Sequence, residues 1–315
     1  MQVFRTLEEL RPGVSLGRPV LTIGTFDGVH VGHQSILQRL KTAAAERQGP
    51  AVVMTFHPHP RRVLFPEEDN LRLLNSLDEK LARLEQMGMD AVIVVPFTRA
   101  FANQTSEAFI EQVLVKQVGI QHIAVGYDHR FGRDRGGGLA DLARMGALHG
   151  FTVEEIPALL VDEANVSSTR IRKALTEGQV EQAARYLGAP YRLLGTVVHG
   201  DKIGRTLGYP TANLQADDPD KLIPAIGVYA VWVDTPKQGR HMGMLNIGYR
   251  PTVGGKDLRV EVNLLDFDGD LYGQQLGVDF IAFLRPDARF NGLEELKAAL
   301  ARDAADTRQV LRPVG

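Results

Sequence analysis

The 315-residue sequence contains no cysteine. Disulfides, thiolate zinc sites, iron–sulfur clusters and a cysteine nucleophile are therefore excluded. It also lacks a strong charge of either sign. The net charge is −2, which argues against broad electrostatic binding of nucleic acid or membrane surfaces. No apolar run approaches membrane length, and no basic-then-apolar leader opens the chain. A soluble cytoplasmic protein is the expectation. There is no internal repeat and no low-complexity linker. The length suits two domains, each with its own core.

What is present divides at about Gly188. Before it, apolar strand-like runs at residues 19–23, 51–56, 91–95, 120–125 and 151–156 alternate with helical patterns. Helices are predicted from the residues after His33 to Gly49, from Ser76 to Gly88, and over 106–117 and 139–149. Strands spaced by helices of this length imply right-handed crossovers and a doubly wound parallel sheet. After Gly188, strand-like runs recur without helices, near 191–199, 227–234, 243–247, 258–267 and 278–284. They predict an antiparallel sheet or small barrel, closed by a helix over 293–303. Two short helices within 169–187 either belong to the first half or bridge the halves.

The most informative stretch is His30-Val31-Gly32-His33, because of its place. It lies where an apolar strand, after the turn Gly24-Thr25-Phe26-Asp27-Gly28, meets a helix. Such a junction offers backbone N–H groups and the positive end of a helix dipole to phosphate. Gly32 lets a phosphate approach the backbone. His30 and His33, three apart, share a face within a first helical turn. Two imidazole donors there suit charge building on an α-phosphate in flight. Metal binding, with Asp27 as third ligand, is the competing reading.

Ser167-Ser168-Thr169-Arg170-Ile171-Arg172 supplies a capped helix start with two arginines, fit for triphosphate oxygens. Residues 126–138 combine Asp128, Arg130, Arg133 and Arg135 with three consecutive glycines as a mobile basic loop. His57 and His59 lie on a proline-stiffened exit turn, as pocket walls at most. In the second half, residues 200–213 are Gly-rich without Walker A spacing. There Thr211 and Asn213, two apart in an extended segment, turn hard oxygens one way, as Mg²⁺ prefers. Glu261 shares a strand face with Arg259 and Asn263, read as the lining of a barrel mouth. A carboxylate there can accept a proton from a substrate hydroxyl.

Taken in order, these motifs resemble the prokaryotic bifunctional riboflavin kinase/FMN adenylyltransferases, the FAD synthetases. The matching pieces are residues 24–33, 126–132, 167–172, 204–213, 246–252, Glu261 with its flanks, and 284–290. The resemblance implies an N-terminal doubly wound nucleotidyltransferase domain over 1–185. It also implies a C-terminal antiparallel β-barrel kinase domain with a terminal helix over 186–315. It implies phosphorylation of riboflavin to FMN, then adenylylation of FMN to FAD with release of pyrophosphate. By resemblance, His30, His33 and Glu261 are catalytic. Gly24, Phe26, Asp27, Gly32, Asp128, Ser168, Thr169, Arg172, Gly204, Gly208, Pro210 and Arg285 bind ATP or flavin. Thr211 and Asn213 hold Mg²⁺. The implied partners are riboflavin, FMN and ATP, with neither nucleic acid nor membrane, in a monomer or weak oligomer. The family often has an acidic residue at the place of His57 and a histidine at the place of Asn263. Two rivals remain at this stage. One is an adenylyltransferase for another phosphorylated cofactor precursor with a binding-only barrel. The other is an RNA-binding barrel protein, against which the near-neutral charge speaks.

Overall fold

The computed structural model describes residues 1–10, 16–67, 71–126, 130–157, 160–161, 164–200, 208–252 and 255–312. Its contacts divide the chain into two units. The first comprises Met1–Leu71 and Leu77–Ser167, the second Arg72–Ser76 and Ser168–Gly315.

The first unit is built on β1 (Gln2–Phe4), β2 (Val20–Ile23), β3 (Ala51–His57), β4 (Ala91–Pro96), β5 (His122–Gly126) and β6 (Thr152–Ile156). The strands run in the order β1-β4-β3-β2-β5-β6, with every pairing parallel. Val20, Leu21, Val52, Val53, Ile93 and Ile123 are fully buried, as expected of a parallel sheet covered on both faces. The helices include α1 (Val31–Glu46), α2 (Leu77–Gln86) and α3 (Leu139–His149). Where one α-helix is predicted over 106–117, a short turn at Ser106–Ala108 continues through Phe109–Val118 with wider π spacing. Its apolar residues Phe109, Ile110, Val113 and Leu114 are still buried. A short ladder, β7 (Leu160–Val161) with β8 (Ala164–Asn165), follows.

Strand order reverses between β2 and β5. The chain leaves β2 toward β3 on one side and returns from β4 to β5 on the other. Ligands in open α/β sheets bind beyond the carboxyl ends of the strands at such a switch point. Both the His30–His33 segment and residues 126–138 follow the strands that flank it.

The second unit is a closed barrel of β9 (Tyr191–Val198), β10 (Ala212–Ala216), β11 (Gly227–Thr235), β12 (Gly239–Thr252), β13 (Gly255–Leu264) and β14 (Gln275–Arg285). Pairing of β9 with β10 closes it. Strand β10 escaped the sequence reading, because only five residues between a Gly-rich run and Asp217-Asp218 form it. The interior is filled by Leu193, Tyr229, Val231, Leu245, Val262 and Phe280, all at most 0 % exposed. The terminal helix α6 (Leu293–Leu311) packs on β11, β12 and β14.

Helices α4 (Ser168–Thr176) and α5 (Val180–Leu187) belong to this second unit. Ala225 donates its N–H to the Leu175 carbonyl, and Phe283 donates to Glu181 Oε1. So does a strap from the first half of the sequence, Arg72–Ser76. Leu73 exchanges backbone hydrogen bonds with Asp220 and Leu222. Lys221, 4 % exposed, donates to the Leu74 carbonyl at 2.7 Å and lies 4.5 Å from the Tyr191 ring centroid. Hydrogen bonds to charged groups contribute about 1.5–3 kcal/mol. Lys221→Met is therefore expected to cost about that much, read as a lower midpoint for thermal unfolding of the barrel.

Candidate active sites

In the first unit, the turn between β2 and α1 is pinned before the histidines are reached. Gly24 N–H donates to the Met54 carbonyl, and Thr55 Oγ1 donates to the Thr25 carbonyl. Phe26 and Val29 adopt φ of +47° and +41°. That is costly for a β-branched residue, and such outliers concentrate at functional sites. Phe26 is buried, with its ring edge-on to His33 at 5.1 Å.

His30 is the N-cap of α1, just before the first helical turn. Its Nδ1 accepts from the His33 backbone N–H at 3.3 Å. That bond assigns the neutral tautomer with its proton on Nε2. The His30 and His33 rings stack, with centroids 3.6 Å apart and 15° between planes. So the two histidines meet, but as a stacked pair rather than as neighbours on a helix surface. A Cβ on Gly32 would lie 3.2 Å from His30 Nδ1, tighter than ordinary contact, so this position suits glycine.

Burial pushes the His30 imidazole down to about 4, against a slighter opposing effect of its backbone hydrogen bond. Burial, then the charges of His30 and Lys80, hold His33 well below the usual range. His33 Nδ1 is buried with no hydrogen-bond partner among the described residues. Since His30 stays neutral in the folded chain, the unfolded chain takes up its proton first as pH falls from 6.5 toward 4. Stability is then lost on acidification through that window, by roughly 2 kcal/mol at about pH 5 for His30 alone. His30→Asn keeps a capping oxygen and removes the titration. Its denaturant unfolding is expected to lose less stability between neutral pH and about pH 5 than the parent's.

The basic loop expected to be mobile is tied down in its described part. Phe131 and Gly137 exchange backbone bonds, and Arg133 N–H donates to the Gln104 carbonyl at 2.8 Å. Asp128 lies outside the described residues. His59 accepts from Arg61 N–H through Nδ1 and caps the short helix Pro60–Leu64. No group of three or more His, Cys, Asp and Glu able to hold a metal occurs among the described residues.

Ser168 opens α4, with Ser167 before it, and Thr169 is exposed. Arg172 Nε donates to the Arg72 carbonyl at 2.7 Å. These residues fall in the second unit, whereas Gly24, Phe26, Asp27, His30, Gly32 and His33 fall in the first.

In the barrel, Asn213 of β10 stands opposite Glu261 of β13, and Glu261 stands opposite Asn246 of β12. Directly paired residues bring their Cβ atoms to about 5 Å on one face. Residues 48 positions apart thus become neighbours. The face is the outer one, which corrects the barrel-mouth expectation. Val260 and Val262 take the inward positions with Leu245 and Ile247, and a six-stranded barrel has only room for such side chains. Met244, on the same face of β12 as Asn246, instead packs with Ala304 of α6.

Asn213 is 7 % exposed, and its Oδ1 is buried without a hydrogen-bond partner among the described residues. Thr211, with Pro210, Phe267, Asp268, Asp270 and Tyr272, lines a cleft of about 740 Å³. Gly208 takes a left-handed φ of +82° just before it, while Gly204 lies outside the described residues. Asn263 donates Nδ2–H to the Pro210 carbonyl at 2.7 Å, which holds this segment against β13. Arg285 ends β14. It grips Asp303 of α6 through two bonds of 2.8 and 2.7 Å, and Asp303 is 3 % exposed.

A parallel sheet with a capped, histidine-bearing helix at its switch point defines a nucleotidyltransferase-type module, here joined to a six-stranded antiparallel barrel. The comparisons make the class specific. The FAD synthetase family model matches residues 15–170 and the riboflavin kinase model residues 187–311. A bifunctional riboflavin kinase/FMN adenylyltransferase of Pseudomonas fluorescens is 42% identical over 99% of this chain and 99% of its own. That of Escherichia coli K12 is 41% identical over 98% of this chain and 97% of its own. The chain belongs to the bifunctional riboflavin kinase/FMN adenylyltransferase family. A crystal structure named as a macrolide-efflux protein from Streptococcus pneumoniae aligns with a TM-score of 0.88 and 32% identity. The alignment covers 97% of this chain and 98% of that one. Among the described residues, no helix is long and apolar enough to cross a membrane.

Proposed function

We propose that the two reactions of this family are divided between residues 1–185 and residues 186–315, in the cytoplasm. The chain phosphorylates riboflavin to FMN with ATP, and adenylylates FMN with a second ATP to give FAD and pyrophosphate. In the adenylyl step, an FMN phosphate oxygen attacks the ATP α-phosphorus and the α–β bridging bond breaks. The open mouth of α1 and the neutral His30 and His33 stabilise the charge that develops on the α-phosphate. Ser168, Thr169 and Arg172 hold the triphosphate of that ATP, with Gly24, Phe26, Asp27, Gly32 and Asp128 around the nucleotide or flavin.

In the kinase step, Glu261 takes the proton of the riboflavin 5′-hydroxyl as that oxygen attacks the γ-phosphorus, and ADP leaves. Thr211 and Asn213 would hold Mg²⁺. The buried, unpartnered Asn213 Oδ1 beside the Glu261 carboxylate fits a hard cation that keeps waters and phosphates as its other ligands. Bound there, Mg²⁺ neutralises phosphate charge. Gly204, Gly208 and Pro210 belong to the residues that bind this ATP or the flavin. Arg285 contributes to binding ATP or flavin while it also grips Asp303 of α6.

The observation that supports the division most is that two family models match successive parts of the chain, the first spanning His30, His33, Ser168 and Thr169, the second Thr211, Asn213 and Glu261. The test is a time course of the purified chain with riboflavin, ATP and Mg²⁺, separating the flavins. FMN should appear first and FAD after it, and chelation should stop FMN formation. FAD from supplied FMN in a chain unable to make FMN would support two sites. Loss of both products together in every site variant would refute them.

A further inference from the structure

Asn213 owes its place to more than the register of β10. Gly200, two residues past the end of β9, lies directly against its side chain. A Cβ on Gly200 would fall 2.5 Å from Asn213 Cγ and 2.9 Å from its Oδ1, nearer than side chains pack. The φ of Gly200 lies outside the left-handed region, so its backbone does not call for glycine. What glycine supplies here is room for one amide. That amide ends a short side chain buried among its neighbours, so it has little space into which to turn. Thr211 is held from the other side. Asn263, 4 % exposed on β13, donates Nδ2–H to the Pro210 carbonyl at 2.7 Å. That oxygen belongs to the planar peptide that carries the Thr211 nitrogen, so the bond fixes the plane from which Thr211 starts.

We propose that Gly200 and Asn263 are positioning residues for riboflavin phosphorylation: the bare backbone of Gly200 seats the Asn213 amide, and Asn263 clamps the Pro210–Thr211 peptide, so that the oxygens of Thr211 and Asn213 serve one cation. Each acts through its neighbour. Precision matters for this ion, because Mg²⁺ demands near-ideal octahedral geometry and gives up its waters reluctantly. Outer residues that orient metal ligands are accordingly felt in metal affinity. The inference rests on the assignment of Thr211 and Asn213 to Mg²⁺.

The test uses the full chain with Gly200→Ala, Asn263→Leu, Asn213→Ala, and Gly200→Ala combined with Asn213→Ala. Two quantities are measured for each. One is the Mg²⁺ concentration that gives half-maximal FMN formation. The other is the gain in affinity for ADP, by calorimetry, when Mg²⁺ is added. FAD formation from supplied FMN at saturating Mg²⁺ reports folding of the chain. Gly200→Ala and Asn263→Leu should each raise the half-maximal Mg²⁺ concentration by about 10–100-fold and shrink the gain in ADP affinity. Saturating Mg²⁺ should restore most of the parent's rate. Asn213→Ala removes the atoms that a Cβ at position 200 would meet, so adding Gly200→Ala to it should change nothing further. Half-maximal concentrations unmoved in Gly200→Ala or in Asn263→Leu would overturn the proposal. So would a rate loss that saturating Mg²⁺ does not restore, or a further shift in the double variant, both marks of packing alone. If Asn263→Leu does not fold, the Gly200 variants decide. If Asn213→Ala itself leaves both quantities at the parent's values, Asn213 is not a Mg²⁺ ligand, and the positioning role falls with that assignment.

Discussion

Replacing His30 by Asn and His33 by Ala together should abolish FAD formation from FMN while riboflavin phosphorylation continues. The asparagine is chosen because it still caps α1, so the helix mouth survives and only the imidazoles are lost. A preorganised donor at a transition state typically carries about 10²–10³ in rate, and the stacked pair acts as one unit whose effects need not add. The contrast between two assays on one protein gives the experiment its force. A rate near the parent's from FMN would remove the histidines from the chemistry. Equal loss in both assays, in a protein that stays folded, would show that they serve the whole chain rather than one reaction.

The mirror-image result is expected of Glu261→Gln. The amide keeps the shape of the side chain and its place between Asn213 and Asn246 on the outer barrel face. It cannot accept the hydroxyl proton. General-base catalysis is worth about 10²–10⁴, so FMN formation should fall by that factor with riboflavin binding retained, and FAD should still form from supplied FMN. Normal turnover of riboflavin would make Glu261 an ordinary outward strand carboxylate.

Local chemistry made some of this legible. The His30–His33 motif could be read because strand, turn, cap and helix are contiguous, and the sheet followed from regular alternation before Gly188. Every barrel strand but β10 was visible as an apolar run, although β12 proved longer, at Gly239–Thr252. What sequence could not supply was adjacency at a distance. Asn213 meets Glu261 only through strand register. Lys80 is buried only because α2 folds over the β2–α1 turn's apolar cluster. The ion pair of Arg285 with Asp303 joins residues 18 positions apart through the packing of α6. The inward or outward sense of Glu261 turned on which face of β13 the barrel enclosed, which alternation alone leaves undecided.

The strap at Arg72–Ser76 has a consequence for how the protein is made. The chain is synthesised from its amino terminus, and domains generally fold in that order. All six strands of the first sheet have been synthesised once Thr152–Ile156 has emerged, but Leu74 must wait for Lys221, 147 residues further on. Until then the strap is a loose excursion from a nascent unit whose sheet is otherwise available. Contacts of such sequence separation form late and slowly, so the strap docks on the barrel only after Lys221 has been made, and the earlier half of the sequence supplies a piece to the later one. A ribosome stalled before Lys221 should therefore carry a protease-resistant first unit cut at the strap, and release of the full chain should remove that cut.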